Sequence, residues 1–234
     1  MIVKEIKERL RKLGSQKKAE ASKRFFKTGP GEYGEGDVFL GITVPELRKL
    51  AKEYRQITLK EAEELLASAI HEERLLALII LVHNFSKGDE SIKKHIYELY
   101  LTNTQFINNW DLVDASAQHI IGPYLMNKSR KPLYRLAESK KIWERRIAIM
   151  STFHFIRQHD FSETLKIAEI LISDKEDLIH KAVGWMLREV GKRHLKTEEA
   201  FLNRYYKKMP RTMLRYAIEK FPAKKRQRYL KGEI

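Results

Sequence analysis

The chain has 234 residues, no cysteine, and 43% hydrophobic against 33% charged residues. That balance excludes a disordered chain, a disulfide scaffold and a cysteine-based zinc site. The net charge is +15, from 46 Lys and Arg against 31 Asp and Glu, so the surface attracts polyanions, nucleic acid first, by counterion release.

The N-terminal stretch MIVKEIKERLRKL has the spacing of an amphipathic helix and lacks the apolar core of a signal peptide. A glycine-rich segment follows, TGPGEYGEGDVFLGI from Thr28. It is expected to be a loop, or a small hairpin, inserted over 28–38 between two helices. It lacks the glycine-lysine-serine/threonine ending of a phosphate loop and carries glutamates where anions would sit.

Apolar residues then recur at three- and four-residue steps over 44–55, 58–70, 74–86, 90–101, 143–157, 178–190 and 212–220, as they do over 2–13. Pro45, Pro132 and Pro210 each stand before a helical run. The apolar run Leu75 to Val82 is far short of the ~20 residues that cross a bilayer. A soluble, cytoplasmic protein is expected.

Arg74, Trp110, Arg146, Lys181 and Arg215 fall 36, 36, 35 and 34 residues apart. Each lies early in an apolar helix, and a more polar helix separates consecutive ones. Stacked helix pairs give such a period, so the predicted fold is all-α: one domain over 1–234, an α-solenoid of HEAT-like repeats with a concave surface for an extended partner.

Three helices carry candidate chemistry. In NNWDLVDASAQHIIGPYL, Val113, Ala117, Ile120 and Tyr124 form a core stripe, and Trp110, Asp114 and Gln118 run along its edge. In the helix from Trp143, Arg145 and Arg146 are set among Ile147, Met150, Phe153 and Ile156. A half-buried arginine requires a carboxylate or phosphate partner. Asp114 lies one repeat earlier, so an inter-repeat ion pair and a functional site are both open readings. In the helix from Leu178, Lys181, Trp185, Arg188 and Lys192 lie opposite the core stripe. Cations around an aromatic suit a nucleic-acid backbone and sugar; a tryptophan packed against a neighbouring repeat beneath those cations is the structural alternative. No H-E-x-x-H or G-x-S-x-G spacing occurs, which argues against a metalloprotease or serine hydrolase. No metal site and no cofactor are expected.

WDLVD, IWERRIAI and KAVGWMLREV, with FLGI at Phe39 followed by Pro45, resemble in order and spacing the AlkD-like DNA alkylation repair family, over residues 15–220. The resemblance implies a HEAT-like solenoid with duplex DNA in a concave basic cleft. It implies a glycosylase that releases cationic alkylpurines, 7-methylguanine and 3-methyladenine, without flipping the base. By motif, Asp114 matches the catalytic carboxylate, Trp110 and Trp185 the indoles around the deoxyribose, and Arg146 an arginine near the lesion. Phe25 stands where the family enzyme has a tyrosine close to DNA. The Gly29–Gly36 stretch is longer than the family's turn. A monomer associated with the nucleoid is expected. A non-catalytic relative binding damaged or branched DNA, and a helical protein scaffold, are the alternatives.

Overall fold

A computed structural model describes residues 2–234. The described residues form α-helices and short 3-10 turns, with no strand beyond one isolated bridge between Val38 and Ile70. They divide into two compact units, with the boundary between Ile120 and Ile121.

The first unit begins with α1 (Ile2–Leu13) and α2 (Gln16–Phe25), followed by the glycine-rich loop. It continues with α3 (Val44–Glu53), α4 (Leu59–Leu66), α5 (His71–Lys87) and α6 (Glu90–Thr102), and α7 (Trp110–Leu125) runs out of it. Local chemistry sets the starts. Thr43 with Glu46 and Thr58 with Glu61 form capping boxes, and Asp89 accepts from the Ile92 amide at 2.8 Å. The apolar stripe of α1, Val3, Ile6 and Leu10, is buried, and α1 packs on α4 and α5. α5 is the centre of this unit. Every residue from His71 to Leu78 is buried, and α3, α4 and α6 pack around it. A helix end buried all round has no polar face to place in water, so its charged residues must find partners inside.

The glycine-rich segment is a series of turns and forms no hairpin. Glu32 accepts from the Gly29 amide at 2.8 Å and Glu35 from the Gly31 amide at 2.9 Å. The loop's own carboxylates thus occupy the donors that an anion would need. Beyond it, the Glu72 carboxylate of α5 accepts from the amides of Leu40, Gly41 and Ile42 at 2.9, 2.7 and 3.2 Å. Gly41 has φ +78°, and a Cβ there would lie 2.3 Å from the Ser15 carbonyl oxygen. Only glycine accommodates both demands.

The second unit contains α8 (Lys131–Ala137), α9 (Ile142–Arg157), α10 (Ser162–Ile170), α11 (Asp177–Gly191), α12 (Leu195–Tyr205), α13 (Arg211–Ala217) and α14 (Ala223–Lys231). α9 packs on α11 and α11 on α13, while α8, α10 and α12 pack beside them. This alternation is what the repeat spacing predicts. At Gly184 a Cβ would meet the Met213 carbonyl oxygen at 2.4 Å, so the missing side chain permits the close approach of α11 and α13. Pro132 lies in the first turn of α8 and Pro210 caps α13.

Candidate functional site

In the first unit, the start of α7 is built against a buried network of charge. Asn109 precedes the helix and is fully buried; its Oδ1 accepts from the Trp110 amide at 2.8 Å and its Nδ2 donates to Asp37 at 3.0 Å. Asp37 receives Arg74 Nη2 on its other oxygen at 2.6 Å. His71, the first residue of α5, lies between two carboxylates, with Nδ1 3.2 Å from Asp37 and Nε2 2.8 Å from Asp111. Burial alone would lower the His71 pKa, but hydrogen bonds to Asp111 and Asp37 outweigh it and push the value up to about 9. For Asp37 burial acts upward, yet His71, Arg74 and Asn109 hold its carboxyl below the usual range.

An aromatic column stands on this network. Phe39 stacks on His71 at 4.6 Å and on Phe26 at 5.1 Å, and Phe26 stacks on the Trp110 indole at 5.3 Å. Phe25 meets Trp110 edge-on at 5.8 Å and is 64% exposed. The glycine-rich loop reaches the same place, because Tyr33 donates its hydroxyl proton to the Phe25 carbonyl at 3.3 Å.

Asp114 lies one turn beyond Trp110, half-buried on α7. It opens onto a cleft of about 330 Å³. Val44, Leu75, Ile79 and Val82 give the cleft apolar walls, Arg48 adds a cation, and Asp111, Asp114 and Gln118 present α7 to it. Gln118 is buried and donates to the Asp114 carbonyl oxygen at 2.8 Å. Val113, Ala117 and Ile120 are fully buried on the other side of the helix. The structure therefore places Trp110 and Asp114 together along the rim of the core, with Phe25 beside the indole.

In the second unit, α11 buries Ala182, Val183, Met186, Leu187 and Val190 and leaves Trp185 half-buried, 6.0 Å from the Phe153 ring. The basic stripe is not bare. Lys181 pairs with Asp177 at 2.7 Å, Lys192 with Glu189 at 2.6 Å, and Arg188 with Glu219. Two of these carboxylates lie on α11 itself, so the stripe carries less net charge than a count of its cations suggests. Arg145 ion-pairs with Asp174 at 2.6 Å. Arg146 is buried and donates to the Leu178 carbonyl oxygen at 2.5 Å.

Asp37, His71, Arg74, Asn109 and Asp111 did not stand out as site residues in the sequence. A signal existed: His71-Glu72-Glu73-Arg74, four ionisable residues in a row, stands directly before the apolar run Leu75 to Val82, and all four are buried. Among the described residues, no group of three or more His, Cys, Asp or Glu is arranged to hold a metal ion, and no helix is long and apolar enough to cross a membrane.

A family model described as DNA alkylation repair enzyme matches residues 6–221. The fold is similar to that of a solved structure described as a predicted DNA alkylation repair enzyme from Enterococcus faecalis, at 17% identity and TM-score 0.68, covering 90% of this chain and 97% of that one. It is also similar to AlkD2 from Streptococcus mutans, at 17% identity and TM-score 0.55, covering 77% of this chain and 91% of that one. A third match is smu.31 from Streptococcus mutans UA159, at 17% identity and TM-score 0.54, with 76% and 92% covered. No curated protein matches the chain in sequence. At this identity the solved structures speak for the fold, an all-α helical repeat.

Proposed function

Because the chain belongs to the DNA alkylation repair enzyme family, we propose that it is a DNA glycosylase that hydrolyses the N-glycosidic bond of cationic alkylpurines, 7-methylguanine and 3-methyladenine, in duplex DNA. The observation that carries this reading is Asp114, set one helical turn from the Trp110 indole on a cleft with apolar walls.

Alkylation at N7 or N3 leaves the purine positively charged, so the departing base needs no general acid. Bond breaking makes the sugar oxocarbenium-like. A fixed carboxylate beside that sugar stabilises the growing positive charge, and apolar walls keep the interaction from being screened as it is in bulk water. The Trp110 face adds a cation–π contribution, and its stack on Phe26 limits how the indole turns. Asp114 also orients or deprotonates the attacking water. In this reading the base stays in the stack, which suits an open cleft rather than a deep pocket.

The second unit supplies DNA contacts. Trp185 meets a sugar, and Lys181, Arg188 and Lys192 exchange their present carboxylate partners for phosphates. Arg146 is buried, so its part is to hold the Leu178 carbonyl at the start of α11. Phe25, exposed beside Trp110, packs against the DNA backbone. The reading needs no cofactor, a monomer suffices, and a cytoplasmic, nucleoid-associated location follows from the substrate.

The test is release of radiolabelled 7-methylguanine from duplex DNA by the wild type and by Asp114→Asn. The expected result is release by the wild type that falls on the order of 10²–10³-fold in the variant, as for the loss of one transition-state electrostatic contact. No release, with salt-dependent DNA binding intact in both, replaces the glycosylase with a binder of damaged or branched DNA. No DNA affinity at all replaces it with a protein scaffold.

A further inference from the structure

The two ring nitrogens of His71 each lie within hydrogen-bonding distance of a carboxylate oxygen, Asp37 on one side and Asp111 on the other. An ionised carboxylate only accepts, so both nitrogens must carry hydrogen, and the ring is an imidazolium. The surroundings balance that charge. Asp37 and Asp111 face Arg74 and the imidazolium, two charges against two. The other ionisable groups at this end of α5 are occupied elsewhere: Glu72 caps the Leu40–Ile42 amides, and Glu73 lies 3.8 Å from Lys7 of α1. From α2 and the following loop, the ring meets Phe26 at 5.1 Å and Phe39 at 4.6 Å.

The network has a direction. Asp37 lies at the end of the glycine-rich loop, His71 starts α5, and Asn109 and Asp111 flank Trp110 at the start of α7. Asp111 is held twice: His71 reaches one oxygen, and the Leu112 amide donates to the other at 2.9 Å. Asp111 also lines the same cleft as Asp114. The His71 ring touches Phe26, which stacks on Trp110. A change in the ring's charge or place thus reaches Trp110 by two routes, the polar Asp111 link and the aromatic column.

We propose that His71 is the positioning residue of this site: a doubly protonated imidazolium that clamps Asp37 to Asp111 and so sets the orientation of Trp110 and Asp114 in the cleft. Its part in base release rests on the glycosylase reading; the clamp itself does not. Removing the ring's second proton breaks the His71 link on one side; if that side is Asp111, only the Leu112 amide still holds it, and the first turn of α7 is then free to shift.

The test uses the whole protein labelled with 15N-histidine and 5-fluorotryptophan, followed by NMR from pH 6 to 10. His71→Gln and Trp110→Phe assign the two resonances. The expected result is a His71 ring that is doubly protonated at pH 7.5, and a Trp110 fluorine signal that moves with the same alkaline midpoint as the ring. Trp143 and Trp185 stay still, and the Trp110 movement disappears in His71→Gln. A His71 ring that titrates near the ordinary 6.5, or a Trp110 signal indifferent to its protonation, overturns the clamp. So does joint movement of all three tryptophans. In the base-release assay, His71→Gln should lower kcat on the order of 10–100-fold with a smaller change in KM, as expected when reacting groups are misplaced rather than removed. Equal loss in both parameters overturns the positioning role. If the wild type releases no base, the glycosylase reading fails while the NMR result still decides the clamp.

Discussion

The two units bury an ionisable group in opposite ways. In the first, His71 is 2% exposed and paired on both sides by carboxylates. In the second, Glu198 is also 2% exposed, but its Oε1 has no hydrogen-bond partner. The burial penalty acts on both and favours the neutral form. For His71 the partners win and the ring stays charged, with its pKa pushed up to about 9. For Glu198 burial comes first and neighbouring Glu199 adds to it, pushing the carboxyl up to about 8, so it is held neutral near pH 7. Burial therefore does not set the charge of a group; the partners supplied with it do. The first unit keeps an ion and uses it to hold a helix end, while the second discharges its acid.

The comparison can be broken most sharply at His71. His71→Leu leaves Asp37 and Asp111 facing an apolar side chain, and breaking a buried pair costs ~3–5 kcal/mol. Urea denaturation at pH 7 should show that loss, with hydrogen exchange rising in α5 and α7 before α11. A cost below 1 kcal/mol would mean that the imidazolium is not paired in solution. Next is the pH dependence of the wild type. A histidine whose pKa is raised from 6.5 to about 9 on folding gives stability that is fully present below pH 6.5 and lost as pH rises through about 9. One pKa unit is about 1.4 kcal/mol, so the loss amounts to about 3 kcal/mol. It should be missing from His71→Gln.

Glu198 gives the opposite mutational sign. Its folded pKa is raised from 4.5 to about 8, so the fold binds a proton that the unfolded chain gives up, and stability falls as pH rises across that interval. Glu198→Gln keeps the shape without the charge. It should stabilise the protein by about 4 kcal/mol at pH 8 and by almost nothing at pH 4, read from denaturation midpoints at the two pH values. The smallest effect is expected on α11. Lys181 is 40% exposed and paired with Asp177, so Lys181→Gln should change stability by less than ~1 kcal/mol. It should nonetheless reduce the salt slope of DNA binding by about one unit if the lysine meets a phosphate.

Much of the fold was legible because it is written in short-range pattern. Three- and four-residue apolar steps gave the positions of α1, α5, α6, α9 and α11 to within a few residues, since helical periodicity is local. The 34–36-residue spacing anticipated the side-by-side helices α9, α11 and α13. The glycine-rich stretch was legible as a loop, and the possible hairpin did not form, because Glu32 and Glu35 bond to the loop's own amides. On α7, the edge position of Trp110 and Asp114 followed from spacing alone. On α11 the cations were legible but their pairing was less so: Asp177 and Glu189 stand within four residues of Lys181 and Lys192, whereas Glu219, the partner of Arg188, lies 31 residues away.

The sequence by itself thus determined an all-α repeat, a basic surface, and a tryptophan and a carboxylate one turn apart on a core-facing helix, all properties of neighbouring residues. Only the tertiary structure decided what holds them. Asp37 and Asn109 are 72 residues apart, and His71 and Asp111 are 40 apart. No periodicity links such positions. They meet because the first turns of α5, from His71 to Leu78, are buried on every side, and the charged residues that open the helix had to be paired inside or not buried at all.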